Sequence, residues 1–185
     1  MAMLALYTCP VLVRAPGDPG HAAFTELDGA IARDLADAPP PGLVALVAPL
    51  RPPPRWPSHA LSVPGTPKPT LSVWQGLEAA FAYSYGAGRH REALRRRREW
   101  FAAIDGPVYV LWYASELGAV GHEEAVARLE RLARDGPGPA AFDFRQPYGP
   151  DGLALGPRRL AALRRGADER PGRGPVPLPL REPER

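Results

Sequence analysis

Proline constrains this chain more than any other residue. Its ring fixes φ and removes a backbone donor, which excludes it from helix interiors and from central strands. The sequence holds 25 prolines and 19 glycines, together nearly a quarter of its 185 residues. They are unevenly spread, crowding at 39–41, through 51–69 and in the tail "RPGRGPVPLPLREPER", so they mark loops and extensions. What remains is ordinary globular sequence, since 45% of the whole chain is hydrophobic and 23% charged. A chain of this length makes one domain with appendages.

Between the breakers the pattern alternates. Residues 3–13 are apolar and β-rich, and "HAAFTELDGAIARDLADA" sets Phe24, Leu27, Ile31 and Leu35 at helical spacing before Pro39. "GLVALVAPL" at 42–50 and "TLSVWQ" at 70–75 read as strands, separated by a long irregular loop over 51–69. A helical region runs from Gly76 to Phe101 and breaks near "YGAG". "GPVYVLWYA" at 106–114 is a fourth strand, and "HEEAVARLERLARDG" an amphipathic helix with Val126, Leu129 and either Leu132 or Ala133 inward. "AAFDFRQPY" at 140–148 closes the packed part, so the domain is expected over 1–148. Residues 149–185 form a Pro/Arg-rich extension, with a short helix at 158–165 and a largely disordered tail.

The order β-α-β-β-α-β with an added helix points to an α+β, ferredoxin-like split βαβ fold. Such a fold lays an antiparallel four-stranded sheet against helices on one face and leaves the other face for a partner. The solitary Cys9 rules out an internal disulfide framework and makes a reducing cytoplasm the expected setting. The first residues lack the basic and small-residue marks of a signal peptide and are too short for a membrane span. A phosphate loop, a G-x-S-x-G elbow and histidine pairs at metal spacing are all missing, which disfavours phosphoryl transfer, serine hydrolysis and a protein-ligated metal.

At "SVWQGLEAAFAY", "HREALRRRREWF" and "GPVYVLWY" the chain resembles an uncharacterised, domain-of-unknown-function family of the dimeric α+β barrel superfamily. That superfamily includes the antibiotic-biosynthesis monooxygenases and the IsdG-type haem-degrading enzymes. The likeness covers roughly residues 3–148. It implies a homodimer whose two sheets close into a barrel, with a pocket between sheet and helices in each protomer. The first strand, where the family usually carries Gln and Asn at alternate positions, here offers Tyr7 and Cys9.

The run Arg95–Arg98 draws the eye, but four consecutive helical positions cover most of the circumference and cannot form one patch. Glu92 and Glu99 are spaced to pair with Arg95 and Arg96. With a net charge of only +3, a nucleic-acid surface is disfavoured. His90, Ala93, Leu94, Arg97 and Phe101 form one stripe, expected to face inward. It brings a histidine and an arginine toward the core about 10.5 Å apart along the axis. A buried guanidinium needs an anion, either Asp105, Asp143 or Glu78, or a ligand carboxylate, phenolate or haem propionate. His90 is either a core hydrogen-bonder or, as the resemblance suggests, a general base or haem ligand. Trp74, Tyr83, Tyr85 and Phe101, with Tyr7 and Cys9, complete the expected pocket lining.

The function expected on these grounds is a small-molecule tailoring enzyme of monooxygenase-like type in specialised metabolism. It would oxygenate, cyclise or isomerise a conjugated or aromatic, acidic substrate, with His90 as acid or base and Arg97 as anion clamp. The cofactor is then none or haem. Two alternatives stand beside it: a haem-binding protein with His90 as axial ligand, and a non-catalytic dimeric ligand-binding module.

Overall fold

Pro10 decides where the first strand stops. The computed structural model describes residues 2–47, 55–86 and 88–168. In it the apolar run expected over 3–13 splits into β1 (Met3–Thr8) and β2 (Val11–Leu12). Pro10 has no N–H to give a ladder, and its carbonyl instead accepts from the Lys68 amide at 2.8 Å. β2 then pairs with β4 (Thr66–Pro67), a strand inside the stretch expected to be irregular. That stretch also holds a 3₁₀ turn over Ser58–Ser62, while its residues 51–54 lie outside the described part. Gly65 permits the approach: its φ is +142°, and a Cβ there would meet the Leu12 carbonyl oxygen at 2.5 Å.

The other elements follow the sequence pattern closely. α1 (Pro19–Asp37) opens with Asp18 accepting from the Gly20 amide at 2.6 Å and with proline in its first turn. β3 (Leu43–Val47) and β5 (Thr70–Trp74) come next, and the helical region divides at Gly86–Gly88 into α2 (Leu77–Tyr85) and α3 (Arg89–Trp100). β6 (Tyr109–Ala114) leads to α4 (His122–Asp135), which stops at Gly136 with φ +74°. α5 (Pro157–Asp168) is the short helix expected near 158–165, and the tail from 169 onward lies outside the described residues.

The result is a mixed α+β fold built on one four-stranded sheet, order β3-β5-β1-β6, antiparallel at every pairing. β1 lies inside this sheet with neighbours on both edges, and both its faces are buried. Leu4 and Leu6 point to one side, Ala5, Tyr7 and Cys9 to the other. β6 alternates as its sequence requires, Val110 and Trp112 joining Tyr7 while Leu111 joins Leu4.

The expectation of an open sheet face fails here. α4 lays Ala125, Val126, Leu129 and Leu132 over the Tyr7 face, so the chain covers that face itself. Leu132 is buried and Ala133 exposed, which resolves the choice between them. Each fully buried Val or Leu contributes about 1.5–3 kcal/mol, so the three from Val126, Leu129 and Leu132 are not readily given up to a partner sheet. On the opposite face sit Leu77, Ala80 and Phe81 of α2, then Phe142 and Phe144. Leu163 of α5 also joins this layer, so the helix within the expected extension packs as part of the body. α1 and α3 pair with one another over Leu12, Phe24 and Trp100. Of the four α1 residues expected inward, Phe24 is buried, and Leu27, Ile31 and Leu35 are half-buried.

Candidate functional site

The residues expected to line one pocket lie in different layers. Tyr7 and Cys9 are under α4, whereas Trp74 faces α2 across the sheet. Tyr83 stacks on Trp74 with ring centroids 5.0 Å apart, and His90 stacks on Tyr83 at 4.6 Å, a column running outward from the core. Tyr85 is 39% exposed and packs on Phe81 and Phe144. Phe101 is half-buried against Phe24 in the α1–α3 seam.

Arg97 is not inward. It is exposed, and its Nη1 donates to the Leu94 carbonyl of its own helix at 2.6 Å. The reason is the helix end: α3 stops at Trp100, and Phe101 is already extended at φ −111°, ψ 144°. The buried anchor is therefore Trp100, one residue before the phenylalanine that defined the expected stripe, and the inward face turns by about 100°. Arg96 takes the protected place, with its guanidinium 4.6 Å over the Trp100 ring and both Glu92 and Glu99 beside it.

His90 keeps part of its expected character. Nδ1 lies 3.2 Å from the Ser84 carbonyl, to which it donates, and burial holds the ring below the ordinary histidine range. The imidazole is then neutral with Nε2 as its bare nitrogen. Tyr83 beside it is pushed up to about 12 by burial and by the carboxylates of Asp34 and Asp28.

A tighter constellation sits on the α4 side of the sheet. His122 opens α4 with only 6% of its surface exposed, and its ring meets Tyr7 edge-to-face at 5.4 Å. Trp56 also meets the His122 ring, edge-to-face at 5.9 Å. Tyr7 Oη, His122 Nε2 and Trp112 Nε1 are all buried without a hydrogen-bond partner among the described residues. Each such orphan costs about 1–3 kcal/mol, so three on one sheet face call for an explanation.

Electrostatics keeps this cluster uncharged. Burial raises the Tyr7 phenol far above its usual range, with the Cys9 thiol as a further cause. It raises Cys9 too, which makes the thiol a packed neighbour and not an activated nucleophile. Burial lowers His122, opposed by a hydrogen bond to the Arg55 backbone. Nε2 is the ring atom left without a partner among the described residues. A neutral phenol and a neutral imidazole thus lie in one buried cluster, with ring centroids 5.4 Å apart. Among the described residues no three histidines, cysteines or carboxylates gather where a metal could bind.

The sequence profile of a domain of unknown function, DUF3291, matches residues 3–156. The chain belongs to the DUF3291 family. The match spans the whole sheet, α1 to α4 and the 140–148 segment, and ends just before α5. Neither the curated proteins nor the solved structures offer a match to this DUF3291 chain.

Two members of this constellation escaped sequence reasoning. His122 carries a visible signal: it precedes Ala125, Val126 and Leu129 at i+3, i+4 and i+7 and so shares their buried stripe. Trp56 carries none, because nothing periodic in a proline-rich segment says where its ring will settle.

Proposed function

We propose that this protein is a small-molecule tailoring enzyme whose proton chemistry is done by Tyr7 and His122. The observation that carries this reading is the buried phenol–imidazole pair, both members neutral, with Tyr7 Oη engaged only by the weak Cys9 thiol and His122 Nε2 without a partner among the described residues. His122 Nε2 takes a proton from an enolisable or phenolic substrate. The Tyr7 hydroxyl donates a hydrogen bond to the substrate oxygen as negative charge gathers there. The imidazolium then returns that proton to a different carbon, which completes an isomerisation or cyclisation without a further reactant. Oxygenation, the branch that the monooxygenase resemblance favours, would begin from the same deprotonated substrate with dioxygen as co-reactant.

The substrate is conjugated and uncharged on arrival. An acidic substrate was expected on the strength of Arg97, and with Arg97 in solvent that clamp is gone. Among the described residues the buried polar side chains are Ser84 and His122, with no Asp, Glu, Lys or Arg, and a carboxylate would pay several kcal/mol or more to enter beside Tyr7, on the order of the usual penalty for burying an unpaired ion.

The strand order β3-β5-β1-β6 supports the ferredoxin-like reading of the fold and, with it, the barrel-superfamily kinship. Dimerisation by sheet-to-sheet closure draws no support, because α4 occupies the face it would use.

The test is turnover of uncharged conjugated ketones and phenols, followed by mass spectrometry with and without dioxygen. His122→Ala and Tyr7→Phe should each abolish or greatly slow conversion, and Arg97→Ala should leave it intact. Loss of turnover in His90→Ala with full activity in His122→Ala would overturn the assignment.

A second reading, haem held by His90, is favoured by the Nδ1–Ser84 hydrogen bond, which fixes the ring as axial-ligand histidines are fixed. The residues fit only in part, since the cation expected to meet the propionates is in solvent. A Soret band on haem addition, lost in His90→Ala, supports this reading, and a featureless spectrum removes it.

A further inference from the structure

A reacting pair with almost no exposed surface is useful only if something moves aside. Tyr7 is 0%, Cys9 1% and His122 6% exposed. Their walls differ greatly in how they are held. β1 is hydrogen-bonded on both edges, and α4 is anchored by four buried apolar side chains. The remaining wall is the segment Arg55–Ser62, which lies outside the sheet and contributes Trp56, Pro57 and Ala60.

That segment is tied down at one carboxylate. Glu130 of α4 accepts from the Ser58 amide at 3.3 Å and the Ser58 hydroxyl at 2.8 Å through Oε1, and pairs with the Arg55 guanidinium through Oε2. Its other side-chain ties are His59 Nε2 to the Pro107 carbonyl at 2.8 Å, next to where the Cys9 amide bonds to Val108, and the His122 ring to the Arg55 backbone. Trp56 itself is only half-buried. One side chain thus joins the residues on either side of the ring that closes over His122.

We propose that Arg55–Ser62 is the entrance to the Tyr7–His122 site, with Trp56 as its door and Glu130 as the latch. Release of Ser58 and Arg55 from Glu130 swings Trp56 off the His122 ring and opens a path to Tyr7 and Cys9. The sheet and α4 stay folded throughout. The purpose of the door rests on the functional reading above; its existence does not.

Cys9 is the sole cysteine and lies on the floor of the site, so its alkylation reports the opening directly. Iodoacetamide labelling of the full chain in native buffer gives the rate. Glu130→Ala should raise it about ten-fold, equivalent to an opening cheaper by about 1.4 kcal/mol. Glu130→Gln keeps an acceptor for Ser58 but loses the ion pair, and should fall between. Glu124→Ala serves as the control, since that carboxylate pairs with Arg128 on the same helix and has no bond to the segment. Low urea should hardly change the Glu130→Ala rate, because a local opening exposes little surface. An unchanged rate in Glu130→Ala, an equal rise in Glu124→Ala, or a steep urea dependence overturns the proposal. Faster labelling together with full turnover in His122→Ala keeps the door and removes the acid–base reading. Unchanged labelling with turnover lost in His122→Ala does the reverse.

Discussion

Replacing Tyr7 by phenylalanine removes one buried oxygen and almost nothing else. The ring sits at 0% exposure, and its contact with His122 at 5.4 Å is made by carbon that phenylalanine retains. Burying a hydroxyl without a partner costs about 1–3 kcal/mol, and the neighbouring Cys9 thiol is too weak an acceptor to recover most of it. Tyr7→Phe should therefore stabilise the protein, by about 1–2 kcal/mol after allowing for the thiol. For a chain of this size that is a rise in Tm of about 2–8 °C. Urea unfolding followed by circular dichroism measures it as an increase in midpoint at constant slope. The same substitution should slow turnover, the pairing of higher stability with lower activity that a functional group held at a structural cost produces. Destabilisation by more than about 0.5 kcal/mol would refute the reasoning, since it would mean the hydroxyl already holds a good hydrogen bond in the folded state.

Other consequences are as direct. Burial holds His90 and His122 below the free-histidine value of 6.5, so the unfolded chain binds more protons than the folded one as pH falls past that value. Their contribution to stability is complete above about pH 7 and is lost progressively below 6.5, and His90→Gln or His122→Gln should flatten urea midpoints measured between pH 7.5 and 5.5. Arg96→Ala should lower Tm because it uncovers the Trp100 ring and frees two glutamates, whereas Arg97→Ala should leave Tm unchanged; equal effects would contradict the rotated face of α3. Gly65→Ala should destabilise by about 1–3 kcal/mol, because a side chain is strained at φ +142° and its Cβ would collide with the Leu12 carbonyl and Val11.

Much of the fold was written locally. Prolines 39–41 end α1, the glycines of "YGAG" divide α2 from α3, and Gly136 stops α4, because each acts on its own backbone whatever surrounds it. Alternation along β6 placed Trp112 with Val110 and apart from Leu111, since pleating alone sends neighbours to opposite faces. The stripe through α3 was less secure. Its phase depended on which of Trp100 and Phe101 was the last helical residue, and a shift of one position exchanged Arg97 for Arg96.

The sequence by itself determined which segments become strands and helices, where most of them end, and that His90 sits beside aromatic side chains. It could not determine which layer meets which. Tyr7 and Trp74 fall on opposite faces because β1 and β5 pair in a register that no local signal encodes. Only the tertiary structure set α4 over the Tyr7 face, brought His122 within 5.4 Å of that ring, and set Trp56 against His122. These contacts join residues some 50 to 115 positions apart, and burial of apolar surface, which is non-directional, selects among them only once the whole chain has packed.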